Sequence, residues 1–159
     1  VTVVAGHDPV LADVADRIHE AVGWRLFTVL RWDPERRALR RIATSHPDLY
    51  PLDAEKSLEV SGSWLDVVIE EKRAFLGATD AEVAAVFADM DLIRSLGCGA
   101  VINTPVIEGG RVVGTLAVLD AEGRYDSSSV ATVEAVVADC GSALTAAFTR
   151  PEASTEGSL

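Results

Sequence analysis

Cys98 lies between Gly97 and Gly99, just ahead of a β-rich run. Two flanking glycines leave a thiol sterically open. A thiol is a nucleophile only as thiolate, which needs a cation or a helix N-terminus close by. Arg94, one helical turn earlier, is the cation that sequence offers; the competing reading is a small buried hydrophobe. A second group is Ser45-His46-Pro47 with Tyr50-Pro51, followed by Lys56 and Trp64. Tyr50 and Trp64 present apolar faces with polar tips, Lys56 a cation, and His46 a proton carrier near neutral pH. An ordinary exposed loop with turn-forming prolines has the same composition. Asn103 and Thr104 interrupt a β-rich run. One of them faces inward if that strand is covered on both sides, and a buried amide needs partners, from backbone or from a ligand. Arg25 and Arg31 flank another apolar run; either reaches a pocket rim and grips a carboxylate, or snorkels into water. No catalytic triad spacing is present. Cys98 and Cys140 form no CxxC pair and His7, His19 and His46 do not cluster with them, so no metal site is expected. A disulfide between the two cysteines depends on how close the fold brings them.

The elements that must position these groups centre on Gly97 to Leu119. Two β-rich runs are joined there by Glu108-Gly109-Gly110-Arg111, a strong hairpin signal because two-residue turns need φ > 0. Pro105 belongs at an edge or a bulge, and Gly114 invites close packing against its strand. Earlier in the chain, Asp8-Pro9 opens a helix that carries Leu11, Val14 and Ile18 and stops at Gly23. Residues 24–32 read as a central strand, with Leu26, Thr28 and Leu30 on one face and Phe27 and Val29 on the other. Asp33-Pro34-Glu35-Arg36-Arg37 turns into a second strand, where Arg40 and Arg41 take opposite faces. Residues 46–62 read as irregular, with room for one short strand. Ser63 and Asp66 suggest a helix cap, and residues 73–77 a short extended piece. Thr79-x-x-Glu82 is a capping box that opens one or two helices ending at Gly97. Ser127-Ser128-Ser129 caps a last helix whose Val130, Val133, Val137, Cys140, Leu144 and Ala147 follow a heptad-like stripe, for core packing or for pairing with a second subunit.

At 159 residues and 48% hydrophobic content the chain is one domain with a substantial core. Its net charge of −11 argues against nucleic acid and anionic membrane as partners. No apolar run of membrane-spanning length and no signal-peptide pattern stands out, so a cytoplasmic protein is expected.

The order helix, hairpin, irregular crossover with helices, hairpin, helix, together with Ala100-Val-Ile-Asn-Thr-Pro105 and Gly109-Gly110-Arg111-Val-Val-Gly114, resembles the GAF domain family over residues 9–148. Residues 1–8 are then a lead and 149–159 a flexible tail. The resemblance implies an α+β fold: a central antiparallel sheet of five or six strands, terminal helices on one face, and a crossover roofing a pocket on the other. It also implies a sensor domain that binds a small molecule and signals to another domain. The Asn-Lys-x-x-x-Phe-x-x-x-Asp/Glu signature of the cyclic-nucleotide binders is absent after the second hairpin, and no Cys-His pair marks a bilin site. The expected ligand is small, an anion among the candidates, held between sheet and the 46–77 crossover by Tyr50, Lys56, Trp64, Asn103, Phe27 and His46. No cofactor and no metal are expected, and a homodimer through the terminal helices is. The rival reading is a small enzyme with Cys98, His46, Tyr50 or Lys56 in the pocket, free methionine sulfoxide reductase activity included; a third is a structural module.

Overall fold

The computed structural model describes residues 4–57 and 66–149; Trp64, the cap proposed at Ser63 and the tail beyond Thr149 lie outside them, as does the side chain of Lys56. Elements run in the order β1 (Ala5–Gly6), α1 (Pro9–Ala21), β2 (Leu26–Asp33), β3 (Ala38–Thr44), β4 (Glu55–Ser57), a π-helical turn (Asp66–Glu70), β5 (Phe75–Gly77), α2 (Asp80–Val86), α3 (Met90–Ser95), β6 (Ala100–Glu108), β7 (Arg111–Asp120) and α4 (Ser127–Thr149). The strands form one antiparallel sheet in the order β1-β3-β2-β7-β6-β5, with β4 also on β3. Seven strands exceed the five or six expected because β1 and β4 are short pieces added along the free edge of β3. Residues 5 and 6 therefore belong to the sheet rather than to a lead.

Local chemistry sets the elements. Asp8 caps α1 by accepting from the Val10 amide at 3.0 Å, with Pro9 next to it, and Gly23 ends the helix region at φ +79°. Thr79 and Glu82 cap α2 reciprocally. Gly109 and Gly110 turn the β6–β7 hairpin with φ of 59° and 79°, which bulky residues resist. Pro105 lies past the part of β6 that β5 covers, next to a register shift between Val106 and Ile107. The serines do not cap α4. Asp126 does, accepting from the Ser129 amide at 3.0 Å while its own amide donates to the Ser129 hydroxyl at 3.2 Å.

Alternation along β2 divides the core. Phe27 and Val29 face α1 and α4, with Leu11, Val14, Ile18, Val133, Leu144 and Phe148. Leu26 and Leu30 face the other way, toward the segments that carry Tyr50, Val68, Val83 and Ile93. The stripe of α4 is core only in part. Gly141, at φ 51° and ψ −133°, breaks the helix, and beyond the break Phe148 joins Leu144 and Ala147 in the core. Ser127–Thr149 is also long and apolar enough to cross a membrane by length and composition alone, contrary to the sequence reading, because alanine and valine make up most of its apolar residues. Here it packs along α1 and the sheet.

Candidate functional site

The sheet face opposite the terminal helices holds a hollow of about 30 Å³. Its floor is Leu26, Thr28 and Leu30 from β2, Val101 and Asn103 from β6, and Ala117 and Leu119 from β7. Arg41 and Tyr50 form one wall; Phe87, Asp89 and Ile93 form the roof. The roof thus comes mainly from the α2–α3 region, and the 46–57 segment supplies Tyr50.

A bulge aims Arg41 into this space. The β2–β3 register shifts between Val29 and Leu30, which leaves Ile42 between Arg41, opposite Leu30, and Ala43, opposite Val29. Ile42 and Ala43 both join the helix-side core, while Arg41 stays on the hollow side. An added residue re-aims its neighbours in this way. The following loop is stapled back to β3: Asp53 N–H donates to the Arg41 carbonyl at 2.9 Å, and Arg41 N–H donates to the Ala54 carbonyl at 2.9 Å. The His46 carbonyl accepts from the Leu49 and Tyr50 amides at 3.2 and 2.7 Å, a single turn that folds Tyr50 inward.

The Tyr50 hydroxyl donates to Asp89 Oδ2 at 2.6 Å, and the Arg41 guanidinium sits 5.1 Å from the centre of the Tyr50 ring. Burial, with the Asp89 bond adding to it, pushes the Tyr50 phenol far above its ordinary range. Burial also lowers the Arg41 pKa, with Tyr50 and Asp89 opposing. Arg41 is 4% exposed; its Nη1 donates to the Pro51 carbonyl at 3.3 Å, and among the described residues its Nε has no partner. Asn103 is 1% exposed and its Oδ1 is unpartnered too. Charge-bearing and polar groups left without partners in the interior are costly, and two of them belong to residues that line this hollow.

Tyr50 and Asn103 are therefore brought together. Phe27 is not: it lies on the opposite face of the sheet, its ring 5.6 Å from Trp24, because odd positions of β2 face the helices. His46 does not line the hollow; its Nδ1 pairs with the Ser45 hydroxyl at 2.7 Å. Arg25 is engaged by Asp120 at 3.1 Å and the Gly97 carbonyl at 3.3 Å. Cys98 is not open. The space beside Gly97 is taken by Arg25 and that beside Gly99 by Glu122. Arg94 is held by Asp80 at 2.9 and 3.0 Å, away from the thiol's service. Burial, with Asp120 adding and Arg25 opposing, pushes the thiol from its ordinary 9.0 up to about 11. Both cysteines are free. Cys98 packs on the hollow side and Cys140 on the helix side. Iodoacetamide at neutral pH is expected to leave Cys98 unmodified in the folded chain and to label it fully in urea, read by peptide mass spectrometry.

Sequence reasoning missed Arg41 and Asp89. The adjacent Arg40-Arg41 pair was the available signal, since one of two neighbours on a covered strand must face inward. Nothing local marks Asp89, which reaches Tyr50 only through tertiary packing. A larger cavity, about 520 Å³, lies on the other face between residues 104–109 and the middle of α4. It is open, and of the residues singled out from sequence for chemistry only Thr104 borders it. The smaller hollow is the better candidate because an unpaired guanidinium nitrogen and an unpaired amide oxygen belong to residues that line it, whereas of such groups the larger cavity has the Thr104 hydroxyl.

Four tyrosine and cysteine groups hold their protons more tightly when folded: Cys98, Cys140, Tyr50 and Tyr125, whose hydroxyl donates to the Gly23 carbonyl at 2.7 Å. The unfolded chain then binds fewer protons at alkaline pH, and stability falls as pH rises. The contribution is whole below the ordinary thiol value of 9.0 and is lost progressively through about 11 for Cys98. Thermal midpoints measured from pH 8 upward (a range set by the thiol and phenol values) should decline above about 9, and less steeply in Cys98→Ala.

No curated protein matches the chain. Solved structures do. One is a GAF domain/HD domain protein from Geobacter sulfurreducens, at 13% identity and TM-score 0.71, covering 89% of this chain and 94% of that one. Another is a domain of a putative two-component sensor histidine kinase from Sinorhizobium meliloti 1021, at 17% identity and TM-score 0.62, covering 86% and 89%. A third is the free methionine-R-sulfoxide reductase of Neisseria meningitidis in complex with its substrate, at 13% identity and TM-score 0.61, covering 87% and 78%. At these identities the likeness is one of fold. The sequence profile of the GAF domain matches residues 6–145. With that match spanning most of its length and the α+β architecture in agreement, the chain belongs to the GAF domain family.

Proposed function

We propose that this GAF domain is a sensor: it binds a small molecule in the hollow over β2, β6 and β7 and reports the binding event through the α2–α3 roof. The observation that carries this reading is the convergence of Arg41 Nε and Asn103 Oδ1, both buried and unpartnered among the described residues, on one space. Interiors seldom retain such groups without a partner to satisfy them. A small-molecule site of drug size has a volume of about 300–1,000 Å³. The hollow here is about 30 Å³, close to one water's share of the liquid. The ligand is accordingly small, and Phe87 and Asp89 must shift to admit it. The sensor histidine kinase likeness supports a signalling context.

The enzymatic reading has less behind it. Cys98 is a buried, protonated thiol at neutral pH, and a reductase nucleophile needs a thiolate. A thermal-shift screen against a metabolite library tests the sensor reading. A ligand that raises the Tm of the wild type, is recovered unchanged, and loses its effect in Asn103→Leu supports it. A ligand that is consumed supports the enzyme. No stabilising ligand, with Asn103→Leu more stable than wild type, supports a structural module.

The sensor acts as a cytoplasmic homodimer through α1 and α4. Ala131, Ala135, Ala138, Ala143 and Ala146 are exposed on α4, and only 22% of its most apolar stretch is buried in the fold. A partner helix would cover that surface. Sedimentation should give twice the monomer mass for wild type and the monomer mass for Ala138→Glu; a monomeric wild type removes the dimer.

A further inference from the structure

The two charges that rim the hollow do not neutralise each other directly. Asp89 accepts the Tyr50 hydroxyl at 2.6 Å. Arg41 lies over the face of the same ring and donates to the Pro51 carbonyl. Tyr50 thus stands between a guanidinium and a carboxylate that share one cavity. Among the described residues Arg41 Nε lacks an acceptor, and Asn103 Oδ1 lacks a donor. The rest of the lining is largely apolar, with Leu26, Leu30, Ile93 and Val101.

Resting on the ligand-binding reading above, we propose that the hollow takes a small zwitterion, an α-amino acid of glycine or alanine size. Its carboxylate is received by Arg41, and its ammonium donates to Asn103 Oδ1. Charge balance selects this class. Arg41 and Asp89 together carry no net charge, so a bound anion leaves the cavity at −1 and a bound amine leaves it at +1. Either is expensive in an interior lined by leucine, isoleucine and valine. A zwitterion leaves the sum at zero while supplying an acceptor to the orphan donor and a donor to the orphan acceptor. The guanidinium fork also suits a carboxylate geometrically. The small volume favours the smallest members of the class, since every added side-chain atom asks the roof for a further opening. An amino acid still exceeds the space of about 30 Å³, so the Phe87–Asp89 stretch between α2 and α3 must lift when it binds.

The test uses the full chain, dialysed free of small molecules, with glycine, L-alanine, propionate and ethylamine as separate probes. Each is titrated at low millimolar concentration by calorimetry and by thermal shift. L-Alanine or glycine should bind, and propionate and ethylamine should bind at least tenfold more weakly. Arg41→Met and Asn103→Leu should each weaken L-alanine at least tenfold while the circular dichroism spectrum stays that of the wild type. If Arg41→Met fails to fold, Arg41→Lys keeps the charge but not the fork, and should still weaken binding severalfold. Propionate binding as tightly as L-alanine overturns the zwitterion assignment in favour of an anion site. So does wild-type affinity for L-alanine in Asn103→Leu and in the folded Arg41 variant. If no amino acid binds but the metabolite screen finds another ligand that Asn103→Leu abolishes, the class is wrong and the sensor reading stands. If nothing binds and Asn103→Leu raises the Tm, both fall.

Discussion

Gly114→Ala is expected to lower the Tm by roughly 5–10 °C, the equivalent of about 1–3 kcal/mol for a chain of this size. A methyl group at this position of β7 would overlap two things at once, the ring of Phe148 from α4 and the carbonyl oxygen of Leu30 in β2. Phe148 is buried and has core on every side. The Leu30 oxygen is backbone, fixed by the β2–β7 register that sets Leu30 opposite Thr115 and Arg31 opposite Gly114. Neither neighbour moves cheaply. Phe148→Ala alone should cost about 3–5 kcal/mol through the cavity it leaves. The double variant should cost clearly less than the sum, because the ring overlap vanishes with the ring. Denaturant unfolding of the four proteins measures this; a Gly114→Ala chain as stable as wild type would mean that α4 does not press on β7 at this point.

Tyr50→Phe is the second large effect. It deletes a hydroxyl that donates to a carboxylate at 2.6 Å, and bonds of this charge-assisted kind contribute about 1.5–3 kcal/mol. The ring stays, so the Arg41 contact over it stays as well. The loss should therefore appear as a lower midpoint with an unchanged denaturant slope. Asp89→Asn keeps an acceptor for the hydroxyl and should cost less than Tyr50→Phe. In Tyr50→Phe/Asp89→Asn the two losses should not add, because they break the same bond. Additive losses would mean that the hydroxyl and the carboxylate act on stability separately.

Signals carried by a few neighbouring residues were readable in advance. Asp8-Pro9, Thr79-x-x-Glu82 and Gly109-Gly110 each act through backbone groups within one turn, and each formed where expected. Alternation along β2 gave both faces of the central strand, and by that same alternation Phe27 belonged with the helices rather than the ligand. The sequence also offered Tyr50 for the pocket, against an exposed loop, and one of Asn103 and Thr104 as an inward polar group. It did not give their company. Arg41, Tyr50 and Asp89 meet because a bulge at Ile42, a turn at His46 and the break between α2 and α3 coincide in space, and no spacing rule links them. For Cys98 the sequence offered two readings, an open thiol and a small buried hydrophobe, and the buried one formed for a related reason. Its glycine neighbours leave gaps, but Arg25 and Glu122, remote along the chain, fill them.

The interruption of α4 at Gly141 bears on how any signal leaves this domain. Residues after it are held in the core by Leu144, Ala147 and Phe148, while the stretch before it buries Val133 in that core and sets Asp139 and Cys140 against Arg17 of α1. A rod hinged in this way transmits a pull at the clamp poorly as a twist farther up. A change felt by the sheet would reach the amino-terminal half of α4 through the core that holds Val133 and through its neighbour α1, as sliding between packed elements.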